Sequence, residues 1–528
     1  MFGRYTVSLA LVFCCFGQGR ALEGSHHASP ASLDDVSRTQ FQKMMDANEK
    51  LWDENTRLLH APGYVPGKRY PGSYQEDHHY FEKCCSKVRE TSQYALDLLY
   101  RDAPGDRQRA AEALNAVLKE QYVTPGVRWY GTFKRTPEEP DPGPDAVMWQ
   151  DYDPNWREFI GTIFQMILIE YPDRIPAELS QRLYKSIELA VAGEKAEGRL
   201  VPAYTNPALM YGILWDFASA HNQRPDWRME SGDWIESVYS LFRKYDAFSE
   251  FNSPTYDTVD LYALALWREY GSTERIRMIG GAMEAALWED IGTLFQPELN
   301  SLSGPYDRSY GMENTGDGLA GLMRFAADAH GMPLKLDANS IPPGFSCPMA
   351  ILGTRIPEDA LARLTTFQGE HLVRKQITDQ RIATAWIGKN VIFGGEATSK
   401  TKNVGHNSQF HPVTIQWRTP TGELGWVRVV DSPMIDATAD EQGITISTEG
   451  TIRLRIHAKG LDPAQLTQTL WNLPGLHIAV TSDAQSLFTL EPTDPAKLDP
   501  AMKEDDGMDI VYAGITKMRL DIKTASPR

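Results

Sequence analysis

The chain has 528 residues, 42% of them apolar, enough for a large core and for two domains rather than one. A formal net charge of −17 sets the whole-protein field against nucleic acid and anionic membranes. No C-x-x-C, H-E-x-x-H, P-loop or G-x-G-x-x-G pattern occurs, so no motif asks for a metal or a nucleotide.

The N-terminus reads MFGRYTVSLALVFCCFGQGRALEG, with one arginine (Arg4), an apolar stretch from Val7 to Phe16 and a small residue at Ala21. This is the pattern of a secretory signal, so residues 1–21 are expected to leave and the mature chain to be secreted. The stretch is shorter than the roughly 20 apolar residues a spanning helix needs. Cys84, Cys85 and Cys347 remain, too few for a disulfide framework, and a bridge between the adjacent pair is not expected.

From about 38 to 345 the apolar spacing is helical. Segments 80–101, 107–121, 154–171, 176–193, 207–221, 232–247, 254–270, 273–291 and 314–330 each carry the i, i+3, i+4 pattern. Three of them open on related phrases: DYDPNW at 151, YTNPAL at 204 and FNSPTY at 251. Their prolines, Pro154, Pro207 and Pro254, lie 53 and 47 residues apart, and Pro305 follows 51 later. That is one helical hairpin per repeat. Asp153, Asn206 and Ser253 read as N-caps with proline at the first helical position.

Past residue 365 the chain becomes alternating and β-branched, in runs such as RIATAWIGKNVIFGG, HPVTIQWRT, LGWVRVVDS and MDIVYAGITKMRLDIKT. The expected fold is α+β and multidomain: an N-terminal α/α toroid of helical hairpins over 22–345, then a C-terminal antiparallel β-sandwich over 367–528. A linker with a short helix covers 346–366.

If inner helices of a ring start at one end, the repeated openings place Tyr204, Asn206, Asn252 and Tyr256 around one mouth, where free N–H groups favour anions. The fourth opening, GPYDRSYG, puts Tyr306, Arg308 and Tyr310 on one face if extended. A guanidinium beside a phenol lowers its pKa and makes the phenolate a base. His406 and His411, in the polar loop 403–412, are the acid–base candidates of the β domain. His371, His457 and His477 sit in strand-like runs and read as structural. Trp129, Tyr130, Trp149 and Trp156 supply flat aromatic surface suited to sugar rings. His78–His79 is a weak metal signal.

With NSPTY, GPYDRSYG and the histidine loop in place, the chain resembles the toroid-type polysaccharide lyases, the heparinase II/III-like, alginate-lyase and chondroitin-lyase groups. The resemblance implies β-elimination on a uronate-containing glycan. Asn252 or Asn206, with Arg308, would neutralise the uronate carboxylate; Tyr256 or Tyr310 would serve as base and acid, with His411 or His406 reaching in. Tyr204, Tyr306 and Trp156 would line the substrate path. No Asn-His pair stands at an inner-helix opening, where several of these families have one. No cofactor is implied, calcium being left open, and no partner protein. Two alternatives stand beside it. A glycoside hydrolase on the same ring would use a carboxylate pair drawn from Asp151, Asp153, Glu250, Asp257, Asp307 and Glu313. A non-catalytic carbohydrate-binding or scaffold protein would keep the aromatic mouth alone.

Overall fold

The structure, a computed structural model, describes residues 29–61, 64, 85–312, 318–332, 334, 346–405, 408–483, 488–493 and 507–524. The signal segment, His78–His79, Glu313 and His406 lie outside the described residues. Cys85 is disulfide-bonded, and Cys347 is free and buried. Among the described residues no helix is long and apolar enough to cross a membrane.

The helical part begins with α1 (Asp35–Leu51), followed by four hairpins: α2 (Val88–Arg101) with α3 (Asp106–Lys119), α4 (Trp156–Glu170) with α5 (Ala177–Glu197), α6 (Thr205–His221) with α7 (Pro225–Arg243), and α8 (Pro254–Tyr270) with α9 (Glu274–Leu294). Then come α10 (Gly318–Ala329), α11 (Cys347–Leu352) and α12 (Glu358–Thr365). The first helices of the hairpins, α2, α4, α6 and α8, stand side by side with their partners outside them. Short α11 touches both α8 and α2 and so bridges the two ends of this inner row. The inner helices are buried nearly all round. In α6 every residue from Thr205 to Ser219 is buried, which is why its apolar pattern is continuous rather than one-sided.

The helix starts do not follow the simple capping scheme. Asn206 lies inside α6, after Tyr204 at the cap position, and Ser253 caps α8 without a side-chain bond. The Ser253 hydroxyl donates to Glu250 O (2.9 Å), and the Asp257 carboxylate accepts from Ser253 N instead (3.2 Å). Asp153 likewise accepts from Asn155 N (2.9 Å), ahead of α4.

The C-terminal part is an antiparallel sheet. Two short pairs precede it, β1 (Leu59–His60) with β2 (Ser86–Lys87) and β3 (Phe295–Gln296) with β4 (Ser301–Leu302). The sheet itself contains β5 (His371–Gln376), β6 (Ile382–Ile387), β7 (Val391–Ala397), β8 (Val413–Arg418), β9 (Leu424–Asp431), β10 (Ile435–Asp440) and β11 (Gly443–His457). It continues with β12 (Leu470–Leu473), β13 (Leu476–Ser482), β14 (Phe488–Pro492) and β15 (Met508–Thr524). The long β11 pairs β10 with its first half and β9 with its second, and register shifts around Gly450 mark the bend between them. That bend lays β10 across β6 and β7, giving two layers around a core of residues such as Phe393, Ile415, Ile446 and Leu454.

The two parts share surface rather than a tether. Ala383, Ala385, Ile387 and Ile392 belong to the helical core. Lys375 pairs with Asp290 on α9 (2.7 Å), and Gln296 donates to Lys389 O (2.7 Å). One approach is close enough to demand glycine: a Cβ on Gly394 of β7 would run into the Gly304 carbonyl oxygen. Through that gap the segment 303–310 lies flat on the sheet. Gly394→Ala should therefore cost about 1–3 kcal/mol in denaturant unfolding, as overpacking does. Gly232→Ala, in open space within α7, should instead raise stability by up to about 1 kcal/mol. Equal effects of the two changes would contradict this packing.

Candidate functional site

The inner-helix starts open into one cleft of about 880 Å³. Arg89, Glu90 and Gln93 come from the first turns of α2, and Trp149, Asp153 and Asn155 from the loop before α4. Tyr204 and Asn206 come from the start of α6, Thr255, Tyr256 and Tyr262 from α8, Arg308 and Tyr310 from the fourth opening, and Gln409 from the β part.

Arg308 is the centre of this group. Its Nη1 pairs with Glu250 (3.1 Å), its Nε donates to Gln409 Oε1 (3.0 Å), and its guanidinium lies 3.7 Å from the Tyr256 ring centre and 5.7 Å from that of Tyr204. Glu250 in turn accepts from Thr205 N at the start of α6 (2.9 Å). The Tyr256 and Tyr310 hydroxyls meet at 3.0 Å. Beside them the amide of Asn206, 1% exposed, reaches the cleft, and its Nδ2 finds no hydrogen-bond partner among the described residues. An unpaired buried amide costs about 1–3 kcal/mol, so this one is suited to a ligand acceptor.

Burial sets the protonation states. It pushes the Tyr256 phenol well above its ordinary range, although Arg308 pulls the other way. At Tyr256 desolvation thus outweighs the guanidinium. Burial also raises Glu250, against the pull of Arg308. Arg308 itself is opposed by burial, but Tyr256 and Glu250 keep its pKa above the usual value. Below the cleft floor, burial lifts Asp257 to about 7 and Asp260 well above the carboxylate range.

Several residues singled out in the sequence are placed elsewhere. Asn252, at φ 51, turns inward and donates to Ser303 O (2.8 Å) and Pro305 O (2.7 Å), so it fixes the fourth opening rather than facing a ligand. Tyr306 is fully buried, its hydroxyl bonded to Leu302 O and Gln416. The segment is not a simple extended strand, so alternation fails at Tyr306 while Arg308 and Tyr310 do share the cleft. His411 is also fully buried: Nδ1 meets Arg428 (2.8 Å) and Nε2 meets Ser309 O (3.0 Å). Burial and the Arg428 charge hold it neutral, well below the usual histidine range. Its part is to pin the 309 carbonyl, not to move protons in the cleft. Trp156, 7% exposed, packs in the helical core against Arg89.

The loop 403–412 does reach the mouth, pairing Tyr306 with His411 and Ser309 with Gln409 through backbone bonds, but it delivers Gln409. A polar residue three positions past His406 was the available signal. Glu250 was legible only as one acid among many. Of the described hydrolase carboxylates, only Asp153 lines the cleft. Asp151 accepts from Val147 N (2.7 Å), Glu250 holds Arg308, Asp257 is buried, and Asp307 pairs with Arg381 (2.6 Å) and Lys402.

Asp257 yields a pH test. Its folded pKa of about 7 lies above an unfolded value of about 3.9. Its favourable contribution is therefore complete below about pH 4 and is lost as pH rises through about 7. Asp257→Asn cannot ionise, so its melting temperature should match the parent near pH 4 and exceed it at pH 8. A difference independent of pH would contradict the buried neutral acid.

The comparisons with known proteins come to this. The chain belongs to the family described as a domain of unknown function, DUF8769, matched over residues 39–323, and a second domain of unknown function, DUF8770, matches 366–491. No curated protein matches the sequence. Among solved structures it resembles heparinase III, at 9% identity over 97% of this chain and 88% of that one, with a TM-score of 0.43. It also resembles a heparan sulfate lyase HepC mutant from Pedobacter heparinus, at 10% identity over 97% and 87%, with a TM-score of 0.35. The likeness is one of architecture.

Proposed function

We propose that the chain is a secreted polysaccharide lyase that cleaves a uronate-containing glycan by β-elimination, with a toroid unit ending near 345 and a β unit beginning near 367. The observation that carries this reading is the grouping, in one cleft, of a fixed guanidinium, a paired set of phenols and a buried amide donor without a partner among the described residues.

Each group answers one demand of the chemistry. The C5 proton of a uronate becomes removable only when the charge building on its carboxylate is met. Arg308 and the Asn206 amide would meet that charge, and a fixed, preorganised donor is worth most where charge develops. Tyr256, kept protonated by burial, donates to the Tyr310 oxygen, the atom that exchanges the C5 proton. The C5–H electron pair becomes the C4=C5 double bond as the C4–O bond breaks. The departing oxygen then receives the proton from Tyr310, so one phenol serves as base and acid. Glu250 holds Arg308 in place and stays out of the reaction.

Incubation with uronate polymers should generate the ultraviolet absorbance of an unsaturated uronate. Tyr310→Phe should lower kcat by about 10²–10⁴-fold, the usual scale of positioned proton transfer, with little change in KM. Arg308→Ala should lower kcat and raise KM together, since that charge holds the carboxylate before and during reaction. New reducing ends without ultraviolet absorbance would mean hydrolysis and reject the elimination.

A further inference from the structure

The cleft also carries information about which uronate glycan fits. We propose that it takes an unsulfated chain and that Trp149 is the platform on which a sugar ring stacks at the rim; this rests on the elimination reading above.

Charge is the first argument. Among the described wall residues the cations are Arg89 and Arg308, and each already faces a carboxylate. Arg89 meets Glu90 at 2.8 Å and Arg308 meets Glu250 at 3.1 Å. Arg89 is further engaged by the Trp156 and Phe159 rings at 5.3 and 5.5 Å. Asp153 adds another acid to the wall, and the whole chain carries −17. One uronate carboxylate at a time can be met by Arg308 and Asn206. A sulfate brings a further full charge, and both described wall cations already face carboxylates, so that charge is met by neutral donors alone. Among the described residues the charges of the wall cancel, and such a wall selects for sparse charge.

The second argument is Trp149. It is 40% exposed and stands on the cleft wall at φ 67, a conformation that a bulky residue holds only when its surroundings impose it. Three bonds impose it: Trp149 N donates to Tyr152 O (2.8 Å), its carbonyl accepts from Arg135 (3.2 Å), and Arg135 is locked to Glu139 (2.7 Å). Arg199 lies 5.6 Å from the indole. An exposed indole with its backbone fixed is a poor core residue and a good flat binding face. It belongs to the opening of α4, two places along the inner row from α8, which carries Tyr256. The sugar it contacts is therefore not the one being cleaved. A cleft of about 880 Å³ is at the upper end of ligand sites, which run to about 1,000 Å³, and has room for more than one ring.

Calorimetry on the Tyr310→Phe protein, which leaves the ligand uncut, tests this directly. The probes are unsulfated tetrasaccharides of chondroitin, heparosan and alginate, set against sulfated chondroitin and heparan sulfate tetrasaccharides. At least one unsulfated probe should bind tenfold or more tightly than any sulfated one. Adding Trp149→Ala should weaken that binding about tenfold, and Trp149→Phe, which keeps a flat ring, should restore most of it. Equal or tighter binding of a sulfated probe, an unchanged affinity in Trp149→Ala, or no binding by any probe would overturn the proposal. A parent protein that makes no unsaturated product would sink the elimination reading, whereas unsaturated product together with equal binding of a sulfated probe would overturn this proposal alone.

Discussion

The position of the cleft cation Arg308 depends on a second arginine, Arg381, that never reaches the cleft. Arg381 leads into β6, and its guanidinium donates to Ser249 O (2.6 Å), Asp307 (2.6 Å) and Glu396 (2.7 Å). Ser249 and Asp307 are the residues immediately before Glu250 and Arg308. One largely covered group of the β part thus sets the spacing of the ion pair at the centre of the site. Breaking such a pair leaves uncompensated charge and typically costs about 3–5 kcal/mol, so the arrangement is held tightly. The helical part supplies most of the cleft wall, but the sheet decides where its chemistry stands.

A second constraint is desolvation. The chain is acidic overall, yet the acids beneath the cleft are kept neutral or paired by burial rather than left as a negative floor. Asp257 and Asp260 are pushed upward, and Glu250 is consumed by Arg308 and Thr205. The same effect keeps Tyr256 a donor. Where the arginine and burial compete over the Tyr256 phenol, burial prevails.

Much of this was legible in the sequence. The repeated openings identified the inner-helix starts, and Tyr204, Asn206, Tyr256, Arg308 and Tyr310 do meet in one cleft. Hydrophobic periodicity suffices for that, because it records burial face by face. What it does not record is contact across distant segments. Asn252 and Asn206 look alike in their phrases, yet one is spent on Ser303 and Pro305 and the other faces the cleft. His411 reads as a loop residue because its burial comes from a backbone pairing with Tyr306, far away in sequence. Gln409 offered only its polar character beside His406, and Arg381 no local pattern; the docking of the sheet gives both their place. Short β10, with acidic residues alternating in IDATAD, was hidden for a similar reason, since its buried face is made by β6 and β7.

Under the proposed reaction, Arg308 and the Asn206 amide together receive a uronate carboxylate beside the Tyr256–Tyr310 pair. A crystal structure of the Tyr310→Phe protein with a bound unsulfated uronate tetrasaccharide measures this most directly. The account predicts one carboxylate within hydrogen-bond reach of both Arg308 and Asn206 Nδ2, with its C5 facing the ring at position 310. An oligosaccharide whose carboxylates all avoid Arg308, or that lies outside the cleft, would contradict it.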